Sequence, residues 1–166
     1  MSFSFHEGSL LDDNADVLVN PTNAVGVMGK GLALGFAKRW PQILSDYRRD
    51  CASGALVGGS CRLYDLPVTI FERGHRRQWA AFCTKQNWRY PSRYEWIESG
   101  LRQLVAGLQA NGHRSVAIPP LGCGNGGLEW ERVEPMILNA FAGTDFAVKI
   151  WKPQMQNRNV PHPKQG

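Results

Sequence analysis

Residues 19–36 read VNPTNAVGVMGKGLALGF. A short apolar run gives way to a glycine-lysine-glycine loop, and the loop opens directly into residues at helical spacing. This is the outline of a strand, a flexible phosphate-binding loop and a helix N-terminus. Two well-known versions of that unit are excluded by counting. The P-loop needs G-x-x-x-x-G-K-[ST], but five positions before Gly29 stands Ala24, and Lys30 is followed by Gly31, which has no hydroxyl for magnesium. The dinucleotide fingerprint G-x-G-x-x-G fails because Gly26, Gly29 and Gly31 are wrongly spaced. What remains is physical: backbone N–H groups and the helix dipole at that point favour a bound anion.

Outward from this stretch the chain alternates strands with helices. SFSFHEGSLL alternates apolar with polar residues, as an edge strand does, and ADVLVN (15–20) reads as a buried strand. GLALGFAKRW and PQILSDYRRDCASG read as two helices, the second with Pro41 at its first position and Gly54 near its end. SCRLYDL and QWAAFCTK are strand candidates, with PVTIFERGHRRQ expected to continue one of them through a turn at Gly74. SRYEWIESGLRQLVAGLQANG is the clearest helix. Ser92 and Glu95 fit a capping box, Ile97, Leu101, Leu104, Val105 and Leu108 mark its apolar face, Gly112 stops it, and Trp96 is expected to be buried. SVAIPP is a strand and LGCGNGG a loop. EWERVEPMILNAF is a helix whose Pro135 lies in its first turn or kinks it, and DFAVKIW is the last strand. Residues 154–166 are polar, proline-bearing and without periodicity, so a disordered tail is expected there. The fold class is α/β: three layers, α/β/α, around a mixed, largely parallel central sheet.

Ligands of such sheets bind beyond the carboxyl ends of the strands. Three stretches fall at strand ends that can face the same way: 20–31, 84–90 and 119–127. The last holds PPLGCGNGG, with four glycines among residues 122–127. Glycine lets successive N–H groups line a concave anion nest. One such loop alone is read as a tight turn; two of them on a basic chain form a cradle for a diphosphate, as in a nucleotide-like ligand.

Composition sets the limits. The chain has 166 residues, enough for one domain with its own core, and its hydrophobic share of 43% is ordinary. A net charge of +5 and a pI near 9.2 favour an anionic partner. No apolar run is long enough to span a membrane, and MSFSFHEG does not read as a signal peptide, so a cytoplasmic monomer is the default expectation. Cys51, Cys61, Cys83 and Cys123 lack metal-ligand or redox spacing, so free, mostly buried thiols and no metal site are expected. No cofactor is indicated. His6 reads as a strand residue, and His75, His113 and His162 as surface residues.

VNPTNAVGVMGKGLA and IPPLGCGNGGLEW resemble the two ligand loops of macrodomains, the ADP-ribose-binding family, and the likeness runs from about residue 3 to residue 152, TKQNWRYPSRYEWIESGL included. The chain is similar above all to the branch that holds terminal ADP-ribose protein glycohydrolase and the DarG antitoxin macrodomain, which removes ADP-ribose from thymidine in DNA. The resemblance implies a macrodomain over residues 1–153 with ADP-ribose as ligand. By position, it implies that Asn20 and Asn23 face the distal ribose, and that Met28, Gly29, Lys30 and Gly31 wrap that ribose and its phosphate. Thr84 belongs to the same site. Leu121, Gly122, Cys123, Gly124, Asn125 and Gly126 are implied to cradle the pyrophosphate from the other side, with Ser9 and Leu10 at the adenine and Trp151 near its face. Three departures stand out. Ser9 replaces the aspartate that many macrodomains place on the adenine amine. Gly126 replaces the aspartate of the terminal glycohydrolase, as in the DarG type. Lys30 stands where MacroD-type enzymes carry an aspartate.

Lys85, in FCTKQNW at a strand end, is by residue type a surface lysine; the resemblance implies instead the nucleophile that attacks the ribose anomeric carbon. An amine attacks only when neutral, and Phe82, Cys83 and Trp88 around it, with Lys30 or Arg89 nearby, are candidates for lowering its pKa. Glu72 and Glu95 are the nearest acidic candidates by sequence. ERGHRRQW and NWRYPSRYEW interleave arginines with aromatics on either side of Lys85. Arg76, Arg77, Trp88, Arg89, Tyr90 and Arg93 are therefore candidate contacts to single-stranded DNA, with a solvated basic hairpin as the alternative. The functional expectation is removal of mono-ADP-ribose from a DNA base or, alternatively, from protein carboxylates. A non-catalytic ADP-ribose reader and an ADP-ribose 1″-phosphate phosphatase are the competing readings. A cognate ADP-ribosyltransferase toxin is an implied partner.

Overall fold

The computed structural model describes residues 2–67 and 76–153. The expected turn at Gly74, together with Glu72, His75, His162 and the tail 154–166, lies outside the described residues. Six strands form one sheet: β1 (Ser2–His6), β2 (Val17–Asn23), β3 (Cys61–Asp65), β4 (Gln78–Lys85), β5 (Ser115–Ile118) and β6 (Ala147–Trp151). Their order is β1-β6-β5-β2-β4-β3, and every pairing is parallel except β3 with β4. The helices are α1 (Gly31–Arg39), α2 (Ile43–Ala52), α3 (Tyr94–Ala110) and α4 (Trp130–Phe141). The three-layer mixed sheet expected from the sequence is the one observed. No helix of the described residues is long and apolar enough to cross a membrane.

Alternation along the strands builds a core on each face. Ala80 and Phe82 of β4 join Val17, Val19, Val116 and Ile118 beneath α3 and α4. Trp79, Ala81 and Cys83 face the other way, with Leu18, Phe36 and Tyr47 under α1 and α2. β4 is buried along its length up to Lys85, which is half-buried. α3 can lie this close to β4 because residue 100 is glycine: a Cβ there would run into the Phe82 ring. Ile97, Leu101, Leu104 and Leu108 form its buried stripe, and Gly112 lies just past its end at φ +68°.

Several local expectations are corrected. β2 runs three residues past Asn20, through Pro21, because β5 pairs only with Val17 and Leu18 and leaves the rest of β2 with β4 as its neighbour. Proline is tolerated where a ladder bond is not needed. α2 starts at Ile43 with Gln42 as its N-cap, so Pro41 precedes the helix. α3 starts at Tyr94 with Arg93 as an N-cap that makes no side-chain bond; the Ser92–Glu95 capping box does not form, because Ser92 is turned under a neighbouring loop. Trp96 is half-buried, its ring lying over Gly58 and Gly59. Pro135 sits in the second turn of α4, where its missing N–H leaves the Glu131 carbonyl without the usual helical donor.

The parallel strands all end at one edge of the sheet. His6, Asn23, Lys85, Ile118 and Trp151 are the last residues of β1, β2, β4, β5 and β6. The loop before antiparallel β3 reaches that same edge, where Gly59 N–H donates to the Cys83 carbonyl at 2.8 Å.

Candidate functional site

The first glycine loop is organised by Asn23. Its Oδ1 accepts from the N–H groups of Val25 (3.1 Å) and Val27 (3.3 Å), and its Nδ2 donates to the Val27 carbonyl at 2.7 Å. The Tyr47 hydroxyl, buried under the loop, donates to the Asn23 carbonyl at 2.6 Å. Asn23 thus shapes the loop, and one of its two Nδ2 hydrogens makes no bond to a described residue. Asn20, fully buried, donates through Nδ2 to Met28 Sδ at 3.7 Å, and its Oδ1 has no partner among the described residues. The loop delivers the chain to α1 with Lys30 as an N-cap that makes no side-chain bond. The first N–H groups of α1, from Gly31 on, therefore lack an intrahelical acceptor, an arrangement that favours an anion. Gly29, Lys30 and Gly31 are exposed there, while Met28 is buried.

The second loop, residues 119–128, folds on itself. Cys123 N–H donates to the Pro120 carbonyl, Gly127 to Gly124 and Leu128 to Gly122. The N–H groups of Gly124, Asn125 and Gly126 donate to no other described residue. Three consecutive uncommitted amides are donors of the kind a phosphate takes. Leu121 is buried beneath them. Gly126 is the position that admits no side chain. A Cβ there would fall against Ser92 Oγ and the Gly122 carbonyl, so an aspartate cannot stand in this loop without rebuilding it.

Lys85 joins the two halves. Its Nζ donates to the Asn125 carbonyl at 3.0 Å and to the Trp88 carbonyl at 3.2 Å. Burial and, after it, the charge of Lys30 hold its pKa below the ordinary lysine value. Lys30, not Arg89, supplies the repulsion; the Arg89 guanidinium lies over the Trp88 ring instead, 5.0 Å from its centroid. A neutral amine giving both its N–H bonds to these two carbonyls keeps its lone pair free for an electrophile. Thr84 is buried beside it in β4. The thiols offer no rival nucleophile. All four are unpaired, although only Cys83 is fully buried, and burial pushes Cys83 and Cys123 up to about 12.

At the far end of the same edge, Ser9 is exposed and its Oγ accepts from Leu11 N–H at 3.3 Å, capping a short 3-10 turn. Leu10 is buried. Trp151 stacks on His6 with centroids 5.1 Å apart, and its indole N–H donates to Asp13 Oδ2 at 2.9 Å. Lys149 Nζ and Ala15 N–H hold the other oxygen of Asp13 at 3.0 and 2.8 Å.

The basic-aromatic candidates divide. Arg76 and Arg77 precede β4, at the opposite end from Lys85, so the two arginine-bearing stretches do not form one surface. Arg76 pairs with Asp65 at 2.6 Å, and Arg77 donates to the carbonyls of Asp13 (2.6 Å) and Ala15 (3.0 Å). Trp88 and Tyr90 are 49% and 65% exposed beside Lys85, with Arg89 over Trp88 and Arg93 over Trp96.

A model of the Macro domain matches residues 19–137, from within β2 through both glycine loops into α4. The chain belongs to the Macro domain family. This macrodomain is 40% identical over 152 residues to the DNA ADP-ribosyl glycohydrolase of Thermus aquaticus, covering 89% of this chain and 39% of that protein. It is 37% identical to the solved macrodomain of Mycobacterium tuberculosis DarG, with a TM-score of 0.84 over 91% of this chain and 97% of that one. It is 33% identical to the Thermosipho africanus protein named DNA ADP-ribosyl transferase-DNA ADP-ribosyl glycohydrolase fusion protein. The solved Thermosipho africanus DarTG in complex with ADP-ribose superposes with a TM-score of 0.85 at 33% identity, over 93% of this chain and 42% of that one. The chain spans 39% to 44% of the length of the curated DNA ADP-ribosyl glycohydrolases it matches from Thermus aquaticus and Mycobacterium bovis.

Three residues that shape the site in this macrodomain escaped the sequence reading: Tyr47, Asp13 and Ser92. Tyr47 shares the buried face of α2 with Ile43, which signals burial but not its bond to Asn23. Asp13 lies 138 positions from Trp151, beyond any local pattern. Ser92 carries a real capping signature, and that masked its place beneath the second loop.

Proposed function

We propose that this macrodomain binds ADP-ribose between its two glycine loops and hydrolyses the bond between the distal ribose and a modified nucleobase in DNA. The observation that carries the reading is Lys85, a half-buried amine of lowered pKa held where the two loops meet. The uncapped start of α1 and the free amides of Gly124, Asn125 and Gly126 supply donors for the two phosphates. Asn20, Met28 and Lys30 then lie on the distal ribose side, and Ser9, Leu10 and Trp151 at the adenine.

In the reaction the lone pair of Lys85 bonds the anomeric carbon while the bond to the acceptor breaks. The acceptor leaves with the electron pair, and the adduct nitrogen, now an ammonium, carries the proton that the acceptor takes. Water then displaces the amine and returns free ADP-ribose and lysine. Orientation by the two loops supplies much of the acceleration. No carboxylate is needed in the second loop, in keeping with Gly126.

A DNA acceptor is favoured over a protein carboxylate by two observations. Exposed Trp88 and Tyr90, with Arg89 and Arg93, offer stacking faces and phosphate partners beside Lys85. Relatives 38% to 40% identical to this chain are named DNA ADP-ribosyl glycohydrolases. The fusion protein named above supports a cognate ADP-ribosyltransferase as partner.

The test offers three substrates: an ADP-ribosylated thymidine oligonucleotide, an ADP-ribosyl-glutamyl protein and ADP-ribose 1″-phosphate, with products identified by mass spectrometry. Release from the oligonucleotide at the highest rate supports the reading. Preference for the protein or the phosphate replaces the acceptor, and binding without release from any substrate leaves a reader.

A further inference from the structure

Ser92 carries an anomaly that the proposed chemistry does not absorb. It is buried, at 5% exposure, and its hydroxyl has no partner among the described residues. A buried hydroxyl without a hydrogen bond is disfavoured, and native structures keep few of them without a reason. Here the surroundings supply one. Ser92 N–H donates to the Gly126 carbonyl at 3.0 Å, and its Oγ and the Gly122 carbonyl oxygen both lie beside Gly126, on the side a Cβ would take. Its own Cβ is 3.2 Å from where a Cβ on Gly122 would be. The serine therefore lies against the second loop at both Gly122 and Gly126. The Gly122 carbonyl accepts Leu128 N–H at 2.9 Å and has a second lone pair to offer.

The segment between Lys85 and Tyr94 grips this loop at two points and the start of α4 at a third. Lys85 Nζ holds the Asn125 carbonyl, Ser92 N–H holds the Gly126 carbonyl, and the Tyr94 hydroxyl accepts from Glu129 N–H at 3.1 Å. Lys85 and Ser92 thus fix the orientation of two consecutive peptides, whose carbonyls turn towards this segment while the amides of Gly124 to Gly126 stay uncommitted.

We propose that Ser92 is a positioning residue whose hydroxyl is a donor held in reserve for the Gly122 carbonyl, engaged when the second loop settles around a diphosphate. The inference rests on the reading of that loop as the diphosphate cradle. In the free protein the hydroxyl bonds no described residue; in the bound protein it bonds the Gly122 carbonyl and adds affinity. A hydroxyl with a merely structural role would act on the free protein instead.

The experiment compares wild type and Ser92→Ala in two measurements: thermal unfolding without ligand, and calorimetric titration with ADP-ribose. The substitution keeps the Cβ that packs on Gly122. The expected result is affinity about tenfold weaker in the variant, the value of one neutral hydrogen bond, with an unliganded melting temperature equal to wild type or higher. Unchanged affinity overturns the inference, and so does weaker affinity accompanied by a lower unliganded melting temperature. A wild type that does not bind ADP-ribose overturns the reading of the site and this inference with it. Wild-type binding with an indifferent Ser92→Ala variant removes the inference alone.

Discussion

The amine of Lys85 and the carbonyl of Asn125 are 3.0 Å apart, so the end of β4 and the second glycine loop meet in a hydrogen bond. The group assigned to chemistry thereby touches the loop assigned to binding, and the two roles can be separated only by substitutions that leave one of them standing.

Lys85→Ala removes the nucleophile but none of the loop amides. Release of ADP-ribose from an oligonucleotide substrate is expected to fall at least about a hundredfold, while the dissociation constant for free ADP-ribose changes by only a few-fold. Single-turnover kinetics and calorimetry on the same preparation check the split.

The pH profile follows from the sign of the Lys85 shift. Burial and the Lys30 charge hold its pKa down, so the neutral, attacking form gains population at lower pH than for an ordinary lysine near 10.4. The rate should rise with pH and level off at an inflection below that value. Lys30→Ala removes the like charge, moves the inflection upward and slows the reaction near neutrality. A downward shift in Lys30→Ala would contradict the assignment.

Asn23→Ala takes away the acceptor of two loop amides and the donor to Val27. Loss of a buried network of this kind costs about 2 to 3 kcal/mol, read as a lower midpoint of urea unfolding at unchanged slope. ADP-ribose binding should fall with it, because the first loop loses its shape.

How much of this was legible in the sequence depends on the range of the interaction. Both glycine loops, QWAAFCTK as a strand and Lys85 at its end could be read because strand period, glycine spacing and position within a strand are local signals. The partners of Lys85 were not legible, since the Asn125 carbonyl lies 40 positions away and is a backbone atom that every residue type supplies. Arg76 and Arg77 were misplaced for a related reason: linear distance on either side of Lys85 says nothing of which end of β4 a residue occupies. The capping motif at Ser92 failed because tertiary packing under Gly126 outweighed a local preference.

The two ends of β4 therefore predict different phenotypes. Arg89→Ala and Trp88→Ala should each raise KM for an oligonucleotide substrate several-fold, and Arg89→Ala should also flatten its salt dependence. Arg76→Ala should leave KM unchanged. Arg77→Ala should lower the melting temperature, through loss of its two carbonyl bonds, without altering KM.

Glycines of the second loop divide in the same way. Gly126→Ala forces a Cβ onto Ser92 and Gly122 and is expected to destabilise by about 1 to 3 kcal/mol with loss of ligand binding. Gly124→Ala meets nothing within 4 Å and should keep wild-type stability within about 0.5 kcal/mol. Denaturant titrations of both variants decide it.

The arrangement of ligand and lysine is tested most directly by a crystal structure of this chain with ADP-ribose. The diphosphate should lie between the start of α1 and the amides of Gly124 to Gly126, with the anomeric carbon about 3 to 4 Å from Lys85 Nζ. A ligand seated elsewhere, or a distal ribose turned away from that amine, would contradict the account.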